Sequence, residues 1–514
     1  MSARALPLGA FLLAIGAGPA AAQLIAIRSV PISQSHQFDL FQSLRMGMGG
    51  VSIAVDDSLH DPFSNPAKGV RLGASSFFGS PGLYSVSRGA GAGRTLPLGT
   101  WLRSGNWFGG AAIAVQQIDL SHQANFFPPC AVCAQPLTQD ALPGNPLPTQ
   151  LPATDRSHGN AFGYAMLGRT VPALGLSVGA SVEWAGLHGV DGVDLLYPRS
   201  AGLTQRGHEL DLRLGALKQW EEGRALSTVL VHNRFAATHD VAYLDGFWDP
   251  GTQSFAQRLR LEENQDQTNT WGAQVEYSWP LRAPGWRLGW VATTNLMSHP
   301  KIPNYEIQNI PRDPGNSQAF NLGVGLSKTA EASTFALDAV YEPIWSYTWA
   351  DAASPVQTSG GLTIPAGGKT IENRFRFANA LLRMGFSQDL PFDQSTRQFG
   401  FQLGLAVHRI GYSLVQDDNV QATTRHAHES WVEWTPTWGM SLKFPGWELR
   451  YRGSVTNGTG RPGVFPNNVT VATPDAAGGT ILVAPSGPLT MTGVRVMTHQ
   501  VAISFPFRSG GTRP

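Results

Sequence analysis

Three stretches of the chain bring together side chains that could do chemistry. Cys130-Ala-Val-Cys133 has the spacing of a redox or zinc pair, but it is the only cysteine pair in 514 residues and follows Pro128-Pro129. With no second pair and no βαβ pattern around it, a short disulfide that pins a loop in an oxidising compartment is favoured over catalysis. Arg425-His-Ala-His428 would set two imidazoles on one face of an extended chain, with His408 upstream and Glu429 adjacent. A metal centre needs a further ligand and an outer shell that orients it, so a solvated loop is favoured. Gly323-Val-Gly-Leu-Ser-Lys328 is glycine-rich, yet it misses the phosphate-loop spacing and sits inside an alternating run. The serines are not read as nucleophiles. The reading is therefore no enzyme, no metal site and no cofactor.

The elements that would carry any site are strands. Trp271, Ala273, Val275, Tyr277 and Trp279 alternate with Gly272, Gln274, Glu276 and Ser278, and Phe320–Ser327, Glu209–Gly215, Phe401–His408 and Trp447–Arg452 alternate in the same way. Period-two patterning sustained this often specifies β-structure. Tight links are expected near residues 104–105, 172–173, 221–223, 283–285, 329–332, 389–395 and 445. Between them lie long Pro/Gly/Asn/Asp-rich connections at roughly 121–158, 189–206, 245–268, 299–316, 350–372, 417–428 and 458–489. Short turns on one side and long loops on the other are the signature of a transmembrane antiparallel β-barrel. Seven hairpins plus a first strand (72–87) and a last (490–507) give sixteen strands, with fourteen as the lower bound. In the last strand the phase of Val494/Val496 differs from that of Val501/Ile503/Phe505/Phe507, which predicts a bulge near Thr498–Gln500. The polar set Glu209, Asp211, Arg213, Gln274, Glu276, His408, Glu448, Arg450 and Arg452 would face inward and pair across the lumen.

Composition agrees. Charged residues make up 14% and aromatic residues 10%, there are 58 Gly and 36 Pro, and the net charge is +1. That balance gives no footprint for nucleic acid. Residues 1–22 read as a cleaved leader, with Arg4, an apolar run and Ala20-Ala21-Ala22. No later stretch is long and apolar enough for a membrane helix. A secreted sandwich or propeller is the alternative, and no blade-length repeat supports it.

One stretch before the strands has a different character: Arg45-Met-Gly-Met-Gly-Gly-Val-Ser-Ile-Ala-Val-Asp-Asp57, followed by Phe63-Ser-Asn-Pro-Ala-Lys-Gly69. Its glycines allow positive φ and close approach to a wall. Asp56 and Asp57 can accept hydrogen bonds from turn amides or pair with lumen arginines, and Pro66 stiffens the exit into the first strand. These residues are expected to fold a plug, with contact to substrate the less favoured role.

This stretch resembles the N-terminal hatch of the FadL/TodX-like outer-membrane transporters of long-chain fatty acids and aromatic hydrocarbons. The resemblance rests on Gly47, Gly49 and Gly50, on Asp56 and Asp57, and on Asn65, Pro66 and Ala67. It departs at Ser58–Pro62, which appears one residue longer, and at Lys68, which separates Ala67 from Gly69. It implies a 1–22 leader, a 23–69 hatch, a 70–507 barrel and a 508–514 tail. It also implies residence in the outer membrane of a Gram-negative bacterium and a monomer among membrane lipid and lipopolysaccharide. The implied function is passive uptake of a hydrophobic small molecule, with sideways exit at an inward kink of the third strand, here Gly109-Gly110. The alternative is a structural or secretion-associated barrel that binds exported proteins.

Overall fold

The computed structural model describes residues 37, 40–45, 47–87, 91–119, 157–190, 200–249, 251, 254–299, 315–352, 354–391, 397–461 and 492–507. The leader, the tail and the Cys130/Cys133 pair lie outside the described residues.

Sixteen antiparallel strands form one closed sheet. They are β1 (Ser75–Gly79 and Gly82–Val86), β2 (Ala92–Ser104), β3 (Trp107–Asp119), β4 (Ser157–Val171), β5 (Leu176–Leu187), β6 (Ser200–Gln219), β7 (Ala225–Asp249) and β8 (Ser254–Pro280). Then come β9 (Trp286–His299), β10 (Gly315–Ala330), β11 (Ser333–Asp351), β12 (Lys369–Pro391), β13 (Gln398–Asp418), β14 (Thr423–Phe444), β15 (Trp447–Arg461) and β16 (Thr492–Phe507). Each strand pairs with its sequence neighbours, and β1 closes the ring through Ser75↔Phe507 to Gly79↔Ile503. The count is sixteen, not fourteen.

Outward positions are apolar. Ile113, Leu214, Leu322 and Val324 are each about three-fifths exposed, while Asn321, Ser327 and Ser278 on the opposite face are buried. In hydrocarbon an open edge would leave backbone groups unbonded, so only a closed sheet suits such an exterior. Near the short turns a ring of basic residues sits over aromatics: Arg169 on Trp107 at 5.2 Å, Lys218 on Trp220 at 5.7 Å, Lys328 on Trp286 at 5.4 Å and Arg397 on Phe444 at 6.0 Å. Amphipathic rings and long cations gather where hydrocarbon gives way to headgroups.

All seven tight turns fall where the sequence puts them, and both barrel ends lie on that side. Four other expectations need correction. The stretch 245–268 is not a loop, because β7 and β8 run for 25 and 27 residues and meet at a turn after Asp249. Its residues 262–267 are polar on both faces, so the alternation that marks a half-buried strand is missing there. For 417–428, β13 and β14 are joined by residues 419–422 alone, with Ala422 at φ +52°. Within 189–206, β6 begins at Ser200, and within 350–372 a small ribbon pairs Val356–Gln357 with Thr363–Ile364.

The last strand has no bulge at Thr498–Gln500: pairing with β15 is unbroken from Glu448↔Ser504 to Asn457↔Arg495, and the shift falls at Asn457/Thr459. Val496 simply faces inward. It packs against Tyr84, Val86 and Ile118 in an apolar cluster inside the barrel, which breaks the rule that inward means polar.

Candidate functional site

Residues 40–72 sit against the inward face of the barrel, and glycine decides where. The turn Met48–Gly50 places Gly49 and Gly50 at φ +68° and +80°, a region that L side chains avoid. Opposite it the wall has an inward glycine in three consecutive strands: Gly385 beneath Met48, Gly404 against Gly49, and Gly439 with its own Cβ position 3.1 Å from Gly47 Cα. Backbone meets backbone here. Gly47 N–H donates to Gln402 at 2.8 Å, the Thr437 hydroxyl donates to Gly47 O at 2.7 Å, and Gly49 N–H donates to Thr437 Oγ1 at 2.8 Å. The same device recurs twice. Gly289, Gly323 and Gly325 make room for Ile53, and Gly179 and Gly215 make room for Asn65–Ala67.

The two aspartates divide the roles expected of them. Asp57 accepts the turn amides of Leu44, Leu59 and His60, each at 3.1 Å. Asp56 pairs with Arg71 at 2.7 Å and with the wall residue Arg287 at 3.2 Å. Burial opposes its ionisation, but Arg71, Arg287, Lys68 and Arg45 hold its pKa below the usual carboxylate value. Asn65 Oδ1 accepts from Ala67 N–H at 3.0 Å, and its amide donates to Ser227 Oγ at 2.8 Å. Pro66 opens the short 3₁₀ turn Pro66–Arg71.

The residues that depart from the family pattern form their own unit. Asp61–Ser64 is one helical turn, with Pro62 in its first turn and Phe63 stacked on Phe41 at 3.7 Å. Lys68 is buried and reaches Asp61 at 3.6 Å and Glu276 of β8 at 2.9 Å. Burial works against its charge, yet Asp61 and Glu276 leave its pKa above the ordinary lysine value. Burial pushes the Asp61 carboxyl up to about 6, against the pull of Lys68 and Arg71.

Further ties run round the ring. Ser52 N–H donates to Asp338 of β11 at 2.7 Å, and Ser327 Oγ of β10 donates to Ala54 O at 2.7 Å. Arg213 of β6 donates to Phe63 O at 2.9 Å, Tyr164 of β4 to Pro62 O at 3.0 Å, and Gln402 of β13 to Leu44 O at 2.8 Å. The expected inward polar set is inward; Glu276 pairs with Lys68 of the N-terminal stretch, and other members pair with near neighbours on the wall. Arg213 binds Asp211 at 2.7 Å, Arg450 binds Glu448, and His408 meets Glu342 at 3.0 Å. Between Arg45, Asp56, Trp286 and Arg287, on the short-turn side, lies a pocket of about 320 Å³.

Toward the long loops the lumen wall carries two apolar clusters among polar neighbours such as Ser346, Asn373 and Gln416. One cluster joins Leu40 and Phe41 of the hatch to Phe162, Leu187, Leu203 and Val241. A second is built from strands only: Met297, Ile344, Phe375, Phe377, Tyr412 and Leu414, with Trp431 against them. On β12 its phenylalanines lie eight and ten residues loopward of Gly385, the point of hatch contact. Sequence reasoning missed both the wall glycines and this cluster. An inward glycine in an alternating strand was a readable signal; inward Phe375 and Phe377 were not, because they alternate with Arg374 and Arg376 and a polar-in rule assigns the arginines to the lumen.

Gly109 and Gly110 do not form a kink. β3 pairs with β2 and β4 through Trp107–Asp119 without a register shift, and Trp101 covers Gly110. The ladder is thinner at β1. Ser80 N–H bonds Pro97 O at 3.1 Å and Val501 N–H bonds Pro81 O at 2.9 Å. Neither proline can return the second bond of its pair, so a narrow pair should keep one bond where two are usual.

The other candidates resolve plainly. The spelling Gly175-Leu-Ser-Val-Gly179 does match a nucleophile elbow, but it starts at a turn and continues as β5. Ser177 there is buried and bonded to Thr170 Oγ1 at 3.2 Å, without the strand–turn–helix context. His426 and His428 lie on β14, not in a loop. Among the described residues no three His, Cys, Asp or Glu side chains gather to hold a metal ion.

No family model and no curated protein matches the chain. Among solved structures it is similar to the toluene transporter TodX of Pseudomonas putida, at 10% identity over 90% of this chain and 97% of that one, with TM-score 0.39. A bacterial polysaccharide outer membrane secretin gives 7% identity over 85% and 99%, TM-score 0.37. The ferric enterobactin receptor of Pseudomonas aeruginosa gives 10% identity over 84% and 81%, TM-score 0.31.

Proposed function

We propose that the protein is a monomeric outer-membrane barrel of a Gram-negative bacterium that passively admits hydrophobic small molecules past a seated hatch. The observation that carries this reading is the strand-only cluster of Phe375, Phe377, Tyr412 and Trp431 on the lumen wall. The rings stand together with the aliphatic Met297, Ile344 and Leu414, a setting that suits an apolar solute, which on leaving water gains about 25 cal/mol per Å² that it buries. A separate apolar cluster, Leu40 with Phe162 and Val241, lies beside the hatch on other strands.

The hatch itself is tied to most of the wall, so wholesale ejection would break many buried bonds at once. Solute therefore leaves sideways and not straight through. The stretch of wall proposed for that step is Ser80–Pro81 of β1, where prolines thin the ladder on both sides. The family's fatty acids and aromatic hydrocarbons are the solute classes to try first.

The test is uptake by cells with an intact outer membrane. Phe375→Asp/Phe377→Asp should slow entry of a labelled long-chain fatty acid or aromatic hydrocarbon by at least about tenfold, the cost of burying charge against an apolar solute. Unchanged uptake in a folded variant would remove the reading.

A further inference from the structure

The exterior of β11–β13 carries a second feature at the opposite rim from the short turns. On β11, Trp345, Tyr347 and Trp349 point outward, and Trp345 is 46% exposed. On β12, Lys369 places its ammonium 4.8 Å from the Tyr347 ring and 4.7 Å from the Trp349 ring, and donates to the Tyr347 hydroxyl. Arg374, cross-strand to Tyr347, lies 5.6 Å from the same ring. Arg376, cross-strand to Trp345, is exposed and has no ion pair among those the described residues show. Two carboxylates complete the patch: Glu372 at 3.6 Å from Lys369, and Asp417 of β13 paired with Arg374.

Three features set the patch apart from ordinary surface charge. The first is height. From Phe335, near the short turn of β11, to Trp345 is ten residues, about 33 Å of strand and roughly 25 Å along the normal at a tilt near 40°, which is the height of an outer-membrane apolar band. Arg376, Arg374 and Lys369 therefore follow one another outward from the far hydrocarbon boundary. The second is balance. Three cations face two carboxylates, whereas the exterior pairs Arg94–Asp119 and Arg206–Asp240/Glu263 have no cation surplus. The third is concentration. The short-turn rim spends one cation on each aromatic, while here the cations crowd onto adjacent rings of one hairpin.

We infer that this patch binds the phosphorylated glucosamine headgroup of lipopolysaccharide in the outer leaflet. This rests on the outer-membrane reading above and assigns a lipid site to the outside of that barrel. Guanidinium and ammonium groups take the phosphates as charge-assisted donors. Trp345, Tyr347 and Trp349 offer flat faces to the sugar rings at the depth where amphipathic aromatics settle. Just inside the boundary the outward residues Ala378 and Ala380 are small and lie between exposed Tyr341 and exposed Arg409, whose aliphatic stem can lie along an acyl chain while its head reaches toward the phosphates. A zwitterionic phospholipid brings one phosphate balanced by its own amine, so the cation surplus favours the bis-phosphorylated lipid.

Purified full-length protein in detergent is titrated with lipopolysaccharide and read by native mass spectrometry, with R376Q and K369Q/R374Q/R376Q as variants and R94Q as an exterior control. R376Q removes a cation with no ion pair in the structure and so is expected to fold; heat modifiability on gels confirms the barrel in each variant. Lipopolysaccharide should bind the wild type and R94Q alike, about threefold or more weaker to R376Q and at least tenfold weaker to the triple variant. Enzymatically dephosphorylated lipopolysaccharide should bind the wild type as weakly as the triple variant binds the intact lipid. Equal binding by wild type and R376Q together with indifference to dephosphorylation would overturn the site, as would equal affinity for phosphatidylethanolamine. The assay involves no solute uptake, so loss of this site and loss of the transport reading are separate results.

Discussion

A single methyl group tests whether the glycines of the wall hold the hatch. In Gly404→Ala the new Cβ would fall on the amide nitrogen of Gly49, closer than real Cβ contacts come, and 2.6 Å from Thr437 Oγ1. Neither neighbour is the free end of a flexible side chain, so the turn must lift. Lifting breaks the two bonds that Thr437 makes with Gly47 and Gly49, about 1 kcal/mol each. It also exposes part of Met48, now fully buried, for a further 1–3 kcal/mol or so. The sum is about 3–5 kcal/mol of hatch docking, which is roughly a 10²–10⁴-fold rise in the open fraction. Hydrogen exchange of Met48–Val55 in detergent-solubilised protein reads that fraction, and the barrel strands should exchange as before. Gly163→Ala, where a Cβ meets nothing within 4 Å, should leave exchange unchanged. If Gly404→Ala leaves the hatch as protected as the wild type, the close approach of glycine to glycine does not seat it.

Lys68→Met should strand Glu276 and Asp61 as buried anions and loosen residues 57–68 by about 3–5 kcal/mol, with Glu276→Gln restoring part of the protection in the double variant. Asp61 predicts a pH effect with a definite sign. Its carboxyl holds a proton more tightly in the seated hatch, about 6 against 3.8, so its contribution is full below about pH 4 and is lost as pH rises through 6. Exchange of 57–68, corrected for intrinsic rate, should be slower at pH 5 than at pH 7, and Asp61→Asn should flatten the difference. For the exit step, Gly82→Cys/Gln500→Cys should cross-link β1 to β16 when oxidised and cut uptake at least about tenfold, reversibly with reductant. The bridge Ala111→Cys/Ala165→Cys between β3 and β4 should not, and equal uptake with both bridges closed would exclude lateral exit at β1.

The barrel was legible because membrane strands must obey one rule along their whole length. Trp271–Trp279 and Phe320–Ser327 alternate, and their faces are as the alternation assigns them. The Met48–Gly50 turn was legible in its glycines, since positive φ at Gly49 and Gly50 leaves few residue choices. What escaped was whatever departs from polar-in, apolar-out. Toward the long loops β8 loses its pattern, since residues 262–267 are polar at every position. Elsewhere, Val496 and Phe375 serve an apolar interior, and their inwardness cannot be told from lipid contact by type alone. The long-range pairs, Lys68 with Glu276 and Ser52 with Asp338, join residues more than two hundred apart and carry no local signal.

The central claim is that the lumen passes apolar solutes and excludes polar ones of similar size. The direct measurement compares entry of a labelled long-chain fatty acid or toluene with entry of glucose, in cells whose lipopolysaccharide-covered outer membrane lacks other porins, with and without the protein. The protein should speed the hydrophobic solute by an order of magnitude or more and leave glucose unchanged, and Phe375→Asp/Phe377→Asp should abolish the gain. Accelerated glucose entry with no gain for the hydrophobic solute would contradict the account.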